Sequence, residues 1–214
     1  MPRSLLCLLF AGVVALTGCA PSFSSAYTTQ TTTPPPDSSG APVAGSETIT
    51  IDGEGYVVHA GGPTDKPGWD ASWVGVLDTL NRYLEAAVLT PLRSGGPAGD
   101  LAPLFTPLAA PRVLAVGPDR AAFIDEGLPP ATDLRRERGV AALTGLGGRD
   151  ALLSVVSAQL ELRLTGWIDG APLTVVRAGE LVLIPEGERW RIDAWDLRVT
   201  RTVAGVSTTT TVRT

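Results

Sequence analysis

The chain predicts an α+β domain in which helices from its N-terminal half pack on a curved antiparallel sheet from its C-terminal half. Three observations carry this. From Trp73 to Val88 the apolar residues recur at spacings of three and four, the period of a helix buried along one stripe. After Asp133 the period shortens to two: Val156, Ala158, Leu160, Leu162 and Leu164 alternate with Ser157, Gln159, Glu161 and Arg163. Turn signals at Asp169-Gly170 and Glu186-Gly187 separate the later apolar runs, so successive strands fold back on one another. A sheet with one apolar face needs helices over it.

The chain begins outside that domain. Residues 1–18 join a basic start at Arg3 to an apolar run over 5–16, the layout of a secretory signal and too short for a spanning helix. The run ends on Leu16-Thr17-Gly18-Cys19, which resembles a bacterial lipobox. The resemblance implies export, transfer of diacylglycerol to the Cys19 sulfur, and cleavage between Gly18 and Cys19. Its expected place is the extracytoplasmic face of the cell membrane. The expected membrane contact is the lipid on Cys19. Residues 19–45 are Ser, Thr, Pro and Ala with almost nothing to bury, including Thr31-Thr32-Thr33-Pro34-Pro35-Pro36. They read as a disordered tether, which at about 3 Å per extended residue holds the domain tens of ångströms from the bilayer.

Residues 46–68 are a short β-prone lead-in. Ile49 and Ile51 alternate with polar residues, Asp52-Gly53 is a hairpin turn signal, and Tyr56-Val57-Val58 follows. Gly61-Gly62-Pro63 and Lys66-Pro67-Gly68 then break the chain. The main domain is expected over 69–205. Asp70 is a suitable N-cap for the first helix, whose stripe is Trp73, Val76, Leu77, Leu80, Tyr83, Leu84, Ala87 and Val88. Pro91 ends or kinks this helix near Thr90. A second helix is predicted over 100–108, and a third opens on Pro118 and stops by Gly127.

Strands are predicted over 140–146 and 156–164, with the mixed-charge run Arg135-Arg136-Glu137-Arg138 a solvated loop before them. The segments 173–177 and 180–184 continue the sheet around a bulge at Ala178-Gly179. In the closing strand Trp190, Ile192 and Ala194 point inward, to meet Trp73, Leu77, Leu80 and Leu84 of the long helix. Residues 206–214 are polar and read as a frayed tail.

A long first helix, short helices, and a meander ending Glu180-Leu181-Val182-Leu183-Ile184 … Arg189-Trp190-Arg191-Ile192-Asp193 … Leu197 resembles the nuclear transport factor 2-like, cystatin-like cone. The resemblance covers about 70–203 and rests mainly on the order of elements. It implies helices closing the open face of a curled sheet. Sixteen arginines against the single Lys66 suggest a GC-rich genome, and exported actinobacterial lipoproteins fit that bias.

Composition excludes several functions. The formal net charge is −5, and loss of Arg3 with the leader makes the rest more negative, so nucleic acid is not an expected partner. With Cys7 in the leader and Cys19 lipidated, no thiol is left for a disulfide. A single histidine, His59, allows neither a catalytic triad nor a histidine-rich metal site, and there is no Gly-rich phosphate loop. No cofactor is expected. Some cone domains are enzymes, such as ketosteroid isomerase and polyketide cyclases, which need a carboxylate base and a donor in an apolar pocket. The residues able to serve are Tyr83 with Asp125 or Glu126. Against that, the sheet's inward positions 158–164 are all apolar, and Gln159, Glu161 and Arg163 face outward, toward solvent or a second copy. The five tryptophans offer stacking surface for envelope sugars. The expectation is a lipid-anchored, non-catalytic binding or interaction module that meets an envelope protein or forms a homodimer through the sheet. The alternatives are a carrier of a lipid or other hydrophobic ligand, and a ketosteroid isomerase- or cyclase-like enzyme.

Overall fold

Six strands lie side by side in chain order: β1 (Asp52–Val58), β2 (Thr132–Gly147), β3 (Leu153–Ile168), β4 (Ala171–Glu186), β5 (Arg189–Val203) and β6 (Val206–Arg213). The structure is a computed structural model that describes residues 48–58, 66–147 and 152–214. Cys19 with the leader and tether, His59, and residues 148–151 lie outside the described residues. The chain divides into a unit Met1–Ala44 and a unit Gly45–Thr214, and all described residues belong to the second.

β2 to β6 pair antiparallel, as a meander with short turns must. β1 pairs parallel to β2 because the helical segment crosses over between them. That segment comprises α1 (Lys66–Tyr83), a π-helical turn (Leu84–Leu89), α2 (Thr90–Ser94), a 3-10 turn (Ala102–Leu104), α3 (Ala110–Leu114) and α4 (Pro118–Phe123). The α+β class expected from the periodicity is therefore the class observed, with one parallel strand added to the antiparallel set.

Several local expectations are corrected. Asp52-Gly53 is no hairpin turn but part of β1, and its glycines serve close packing. A Cβ on Gly53 would sit 2.7 Å from Leu77 Cδ2, and one on Gly55 2.8 Å from the Trp73 ring. α1 starts at Lys66, not at Asp70, since Pro67 falls in the first turn, where its missing N–H is no loss. The 100–108 helix shrinks to one 3-10 turn. Pro107 disfavours helix at Thr106; Phe105 turns extended and bridges Ile192, while Thr106 N–H donates to Ile192 O at 3.0 Å. Arg135 to Arg138 are not a loop but the irregular start of β2, with register shifts on both sides.

The bulge expected at Ala178-Gly179 is absent. β4 keeps register with β3 throughout, and the shift falls instead on β5, where Asp193 is extra between Ile192 and Ala194. Gly179 is required for a different reason: φ is 144° and a Cβ would lie 2.0 Å from Asp196 O. Nor is 206–214 a frayed tail. Ala204 (φ 51°) and Gly205 (φ 82°) make a two-residue hairpin turn, and the β-branched run 208–212 adds a strand to the edge of β5. Val212 is buried there, and Thr214 Oγ1 accepts from Trp195 N–H at 2.9 Å.

The apolar face of the sheet and the helices share one core. The α1 stripe divides between two neighbours. Trp73 and Leu77 cover the glycines of β1 and β2, with Trp73 Cη2 also over Gly145, where a Cβ would approach to 2.6 Å. Gly75 and Thr79 meet β5: the Trp190 ring lies against Gly75, and Thr79 Oγ1 donates to Trp190 O at 2.8 Å. Trp190 and Ile192 point inward as expected, but the extra Asp193 turns Trp195 inward in place of Ala194, and Trp73 packs elsewhere.

Candidate functional site

Alternation along β4 places Leu173, Val175 and Arg177 on the same inner face. Arg177 is fully buried, 0 % exposed, and the core forms around its guanidinium. Nη2 donates to Asp125 Oδ2 at 2.6 Å; Nη1 donates to the Tyr83 hydroxyl at 2.8 Å and to Ala122 O at 2.5 Å. Nε has no partner among the described residues. The other oxygen of Asp125 accepts from Arg201 Nε on β5. Arg201 Nη2 donates to Ala121 O (2.9 Å) and Ile124 O (3.1 Å), and the Tyr83 hydroxyl donates to Phe123 O at 3.3 Å.

Two guanidiniums thus share one carboxylate, leaving a local excess of positive charge. The backbone offsets it. The last carbonyls of a helix have no intrahelical partner and carry its negative dipole end. Ala121, Ala122, Phe123 and Ile124 supply four such oxygens at the end of α4. The arginines therefore cap α4 from below while binding the acid that follows it.

Tyr83 is delivered by the buried stripe of α1, and the next turn is shaped by Pro91. Without an N–H, Pro91 cannot engage a carbonyl one turn back, whether in α or π register. The two oxygens left open are taken by loop amides: Gly99 N–H donates to Ala86 O at 2.9 Å and Asp125 N–H to Ala87 O at 3.0 Å. Pro91 does not end the helix near Thr90. It continues through the π turn to Ser94 and stops at Gly95 in the left-handed region (φ 65°). The widened turn fixes the backbone of Asp125 directly.

Electrostatics follow from burial. Exclusion of water pushes the Tyr83 hydroxyl above its ordinary value, an effect that Arg177 beside it only partly offsets. Burial works against the charge on Arg177, but attraction to Asp125 and its hydrogen bonds outweigh this and hold the guanidinium above its ordinary value. The state of the cluster is a neutral tyrosine beside two cations and their shared acid. Apolar rings enclose it: Phe123 stands edge-on to Tyr83 (5.6 Å), Phe105 (5.2 Å) and Trp195 (4.9 Å).

Tyr83 and Asp125, the pair singled out in the sequence, are therefore brought together, while Glu126 is not. Glu126 forms a two-pronged pair with Arg120 (2.5 and 2.7 Å), whose hydrogen bonds hold its carboxyl below the ordinary range. The inward positions 158–164 of β3 are apolar and buried, and the charged residue on the inner face is Arg177 on β4. Its position was readable, since it shares the alternation of Leu173 and Val175. The involvement of Arg201 was not, because a strand end gives no sign of which distant carbonyls it will meet. Arg201 also lines a surface depression of about 330 Å³ with Arg120, Glu126 and Leu128, but the Asp125 side chain behind it is 0 % exposed. Both carboxylate oxygens of Asp125 are held by guanidiniums, so this acid is bound as a counter-ion within the core.

The tryptophans do not form one platform. Trp190 and Trp195 are buried, with Trp195 Nε1 donating to Asp119 Oδ1 at 3.1 Å, while Trp167 is 47 % exposed on the outer face. Comparisons with protein families, curated proteins and solved structures find no match to this chain.

Proposed function

We propose that the chain is a lipid-anchored protein of the cell envelope whose extracytoplasmic domain is a non-catalytic interaction module built on a nuclear transport factor 2-like cone. The anchor rests on the lipobox-like Leu16-Thr17-Gly18-Cys19. The cone is supported by the order of elements, a long helix and short helical turns ahead of an antiparallel meander.

One observation carries the choice of an interaction module over an enzyme. The tyrosine and acid that an isomerase-like site would need are both consumed in a buried ion cluster that fastens α1 and α4 to the sheet. The outer face of the sheet, with Gln159, Glu161 and Arg163 exposed, remains for contact with an envelope protein or a second copy. In cells making the full chain, Cys19→Ala is expected to move the protein from the membrane to the soluble fraction; continued sedimentation with membranes contradicts the anchor. Native mass spectrometry of the purified Cys19→Ala chain is expected to give the bare polypeptide or its dimer. A lipid retained by that variant would instead make the domain a carrier.

A further inference from the structure

A second cluster of polar groups sits at the other side of the sheet, where β2 enters it. Between Thr132, opposite Trp167, and Arg135, opposite Thr165, β2 carries two residues against the single Gly166. Asp133 takes the left-handed region there (φ 50°), and Leu134 turns toward the core. Gly166 makes room: a Cβ on it would lie 2.9 Å from Thr132 O and 3.0 Å from Leu134 Cδ2. The bulge brings Asp133 and Arg135 to the rim of a depression of about 340 Å³, whose remaining lining includes Trp167, Pro172, Thr165 and Thr174.

None of the side chains of Asp133, Arg135, Thr165, Trp167 and Thr174 has a hydrogen-bond or ion-pair partner among the described residues. Two neighbouring pairs on this face are matched, Arg138 with Glu161 and Arg163 with Glu137, while Arg198 on β5 is exposed like Arg135. The row also continues. Arg135 is opposite Thr165, Thr165 opposite Thr174, Thr174 opposite Thr202 and Thr202 opposite Ser207, one side chain from each of five strands. At about 4.8 Å between strands this is a line of roughly 19 Å.

We propose that this line, anchored at Trp167, binds an extended glycan. The indole gives a flat apolar surface for the C–H face of a sugar ring. Asp133 accepts from ring hydroxyls, Arg135 donates to them, and the threonine hydroxyls do either. An acyl chain would offer the carboxylate and guanidinium no hydrogen-bond partner. A polyanion would meet Asp133. The length of the row suits several sugar units in sequence. The proposal deepens the interaction-module reading by giving the outer face a ligand class.

The test is affinity electrophoresis of the purified full chain carrying Cys19→Ala through gels containing soluble arabinogalactan, soluble mannan, or an oligomer of β-1,4-linked N-acetylglucosamine. At least one glycan is expected to retard the protein. Trp167→Ala should weaken that binding tenfold or more with an unchanged urea midpoint, because Trp167 is half exposed. Asp133→Asn, which tolerates the same backbone region, should weaken it severalfold. Absence of retardation by all three glycans, or equal binding by both variants and the parent, overturns the proposal. Membrane release of Cys19→Ala is read separately, so loss of glycan binding leaves the anchored-module reading standing.

Discussion

Arg177 carries a full charge into an apolar core, and the cost of doing so is met only by its partners. An isolated buried ion is disfavoured by many kcal/mol, yet here burial is outweighed by Asp125, Tyr83 and a helix-end carbonyl. Tyr83 is the neutral member and gives the cluster its pH dependence. Its folded-state value is raised by burial, so the folded form keeps the proton where the unfolded chain releases it. Stability from this group is complete below the ordinary tyrosine value of about 10 and declines as pH rises beyond it. Tyr83→Phe should cost about 1.5–3 kcal/mol at neutral pH, the usual worth of a hydrogen bond to a charged group. It should also remove part of the alkaline loss that sets in above about pH 10. Urea melts of both proteins across that range check it. At this scale the sequence was half legible. Period and spacing placed Tyr83 on the buried stripe, and the alternation that buries Arg177 beside Val175 was present but unread; the joining of Asp125 to Arg201 depends on how β5 lies across α4, which no local pattern encodes.

Elements report the same division. Helix α1, strands β3 to β5 and the hairpin turns at Asp169-Gly170 and Glu186-Gly187 were readable because each has a clean period or a left-handed glycine. The errors cluster where glycine or proline has two meanings. Gly53 and Gly179 look like a turn and a bulge, but each admits a neighbouring backbone or side chain. Pro67 and Pro91 look like helix breakers, but one opens α1 and the other yields carbonyls that Asp125 and Gly99 use. β6 was missed because threonine is polar, although its branching suits an edge strand. The best-founded element prediction concerns β5 against α1. Trp190 is buried over Gly75 and its carbonyl takes the Thr79 hydroxyl. Trp190→Ala should cost about 3–5 kcal/mol, and Trp69→Ala, partly exposed at the start of α1, clearly less. Equal urea midpoints for Trp190→Ala and the parent would mean the register of β5 is wrong.

Across the whole molecule, one ion cluster connects parts that are distant in sequence: Tyr83 on α1, the end of α4, Arg177 on β4 and Arg201 on β5. Its central role in the account is to clamp the helical layer to the sheet. Buried ion pairs add little net stability over a well-packed apolar pair, but losing one partner strands the other, at about 3–5 kcal/mol. With total stability of about 5–15 kcal/mol and no cysteine among the described residues, that is decisive for folding. A clamp and a reaction site therefore differ in how their members couple. The most direct measurement is a double-mutant cycle of Arg177→Met and Asp125→Leu, read as urea midpoints of the purified chain. Each single change should lose about 3–5 kcal/mol, and the double variant should recover much of the loss despite the remaining Arg201. Additive losses, or single variants as stable as the parent, would contradict the clamp.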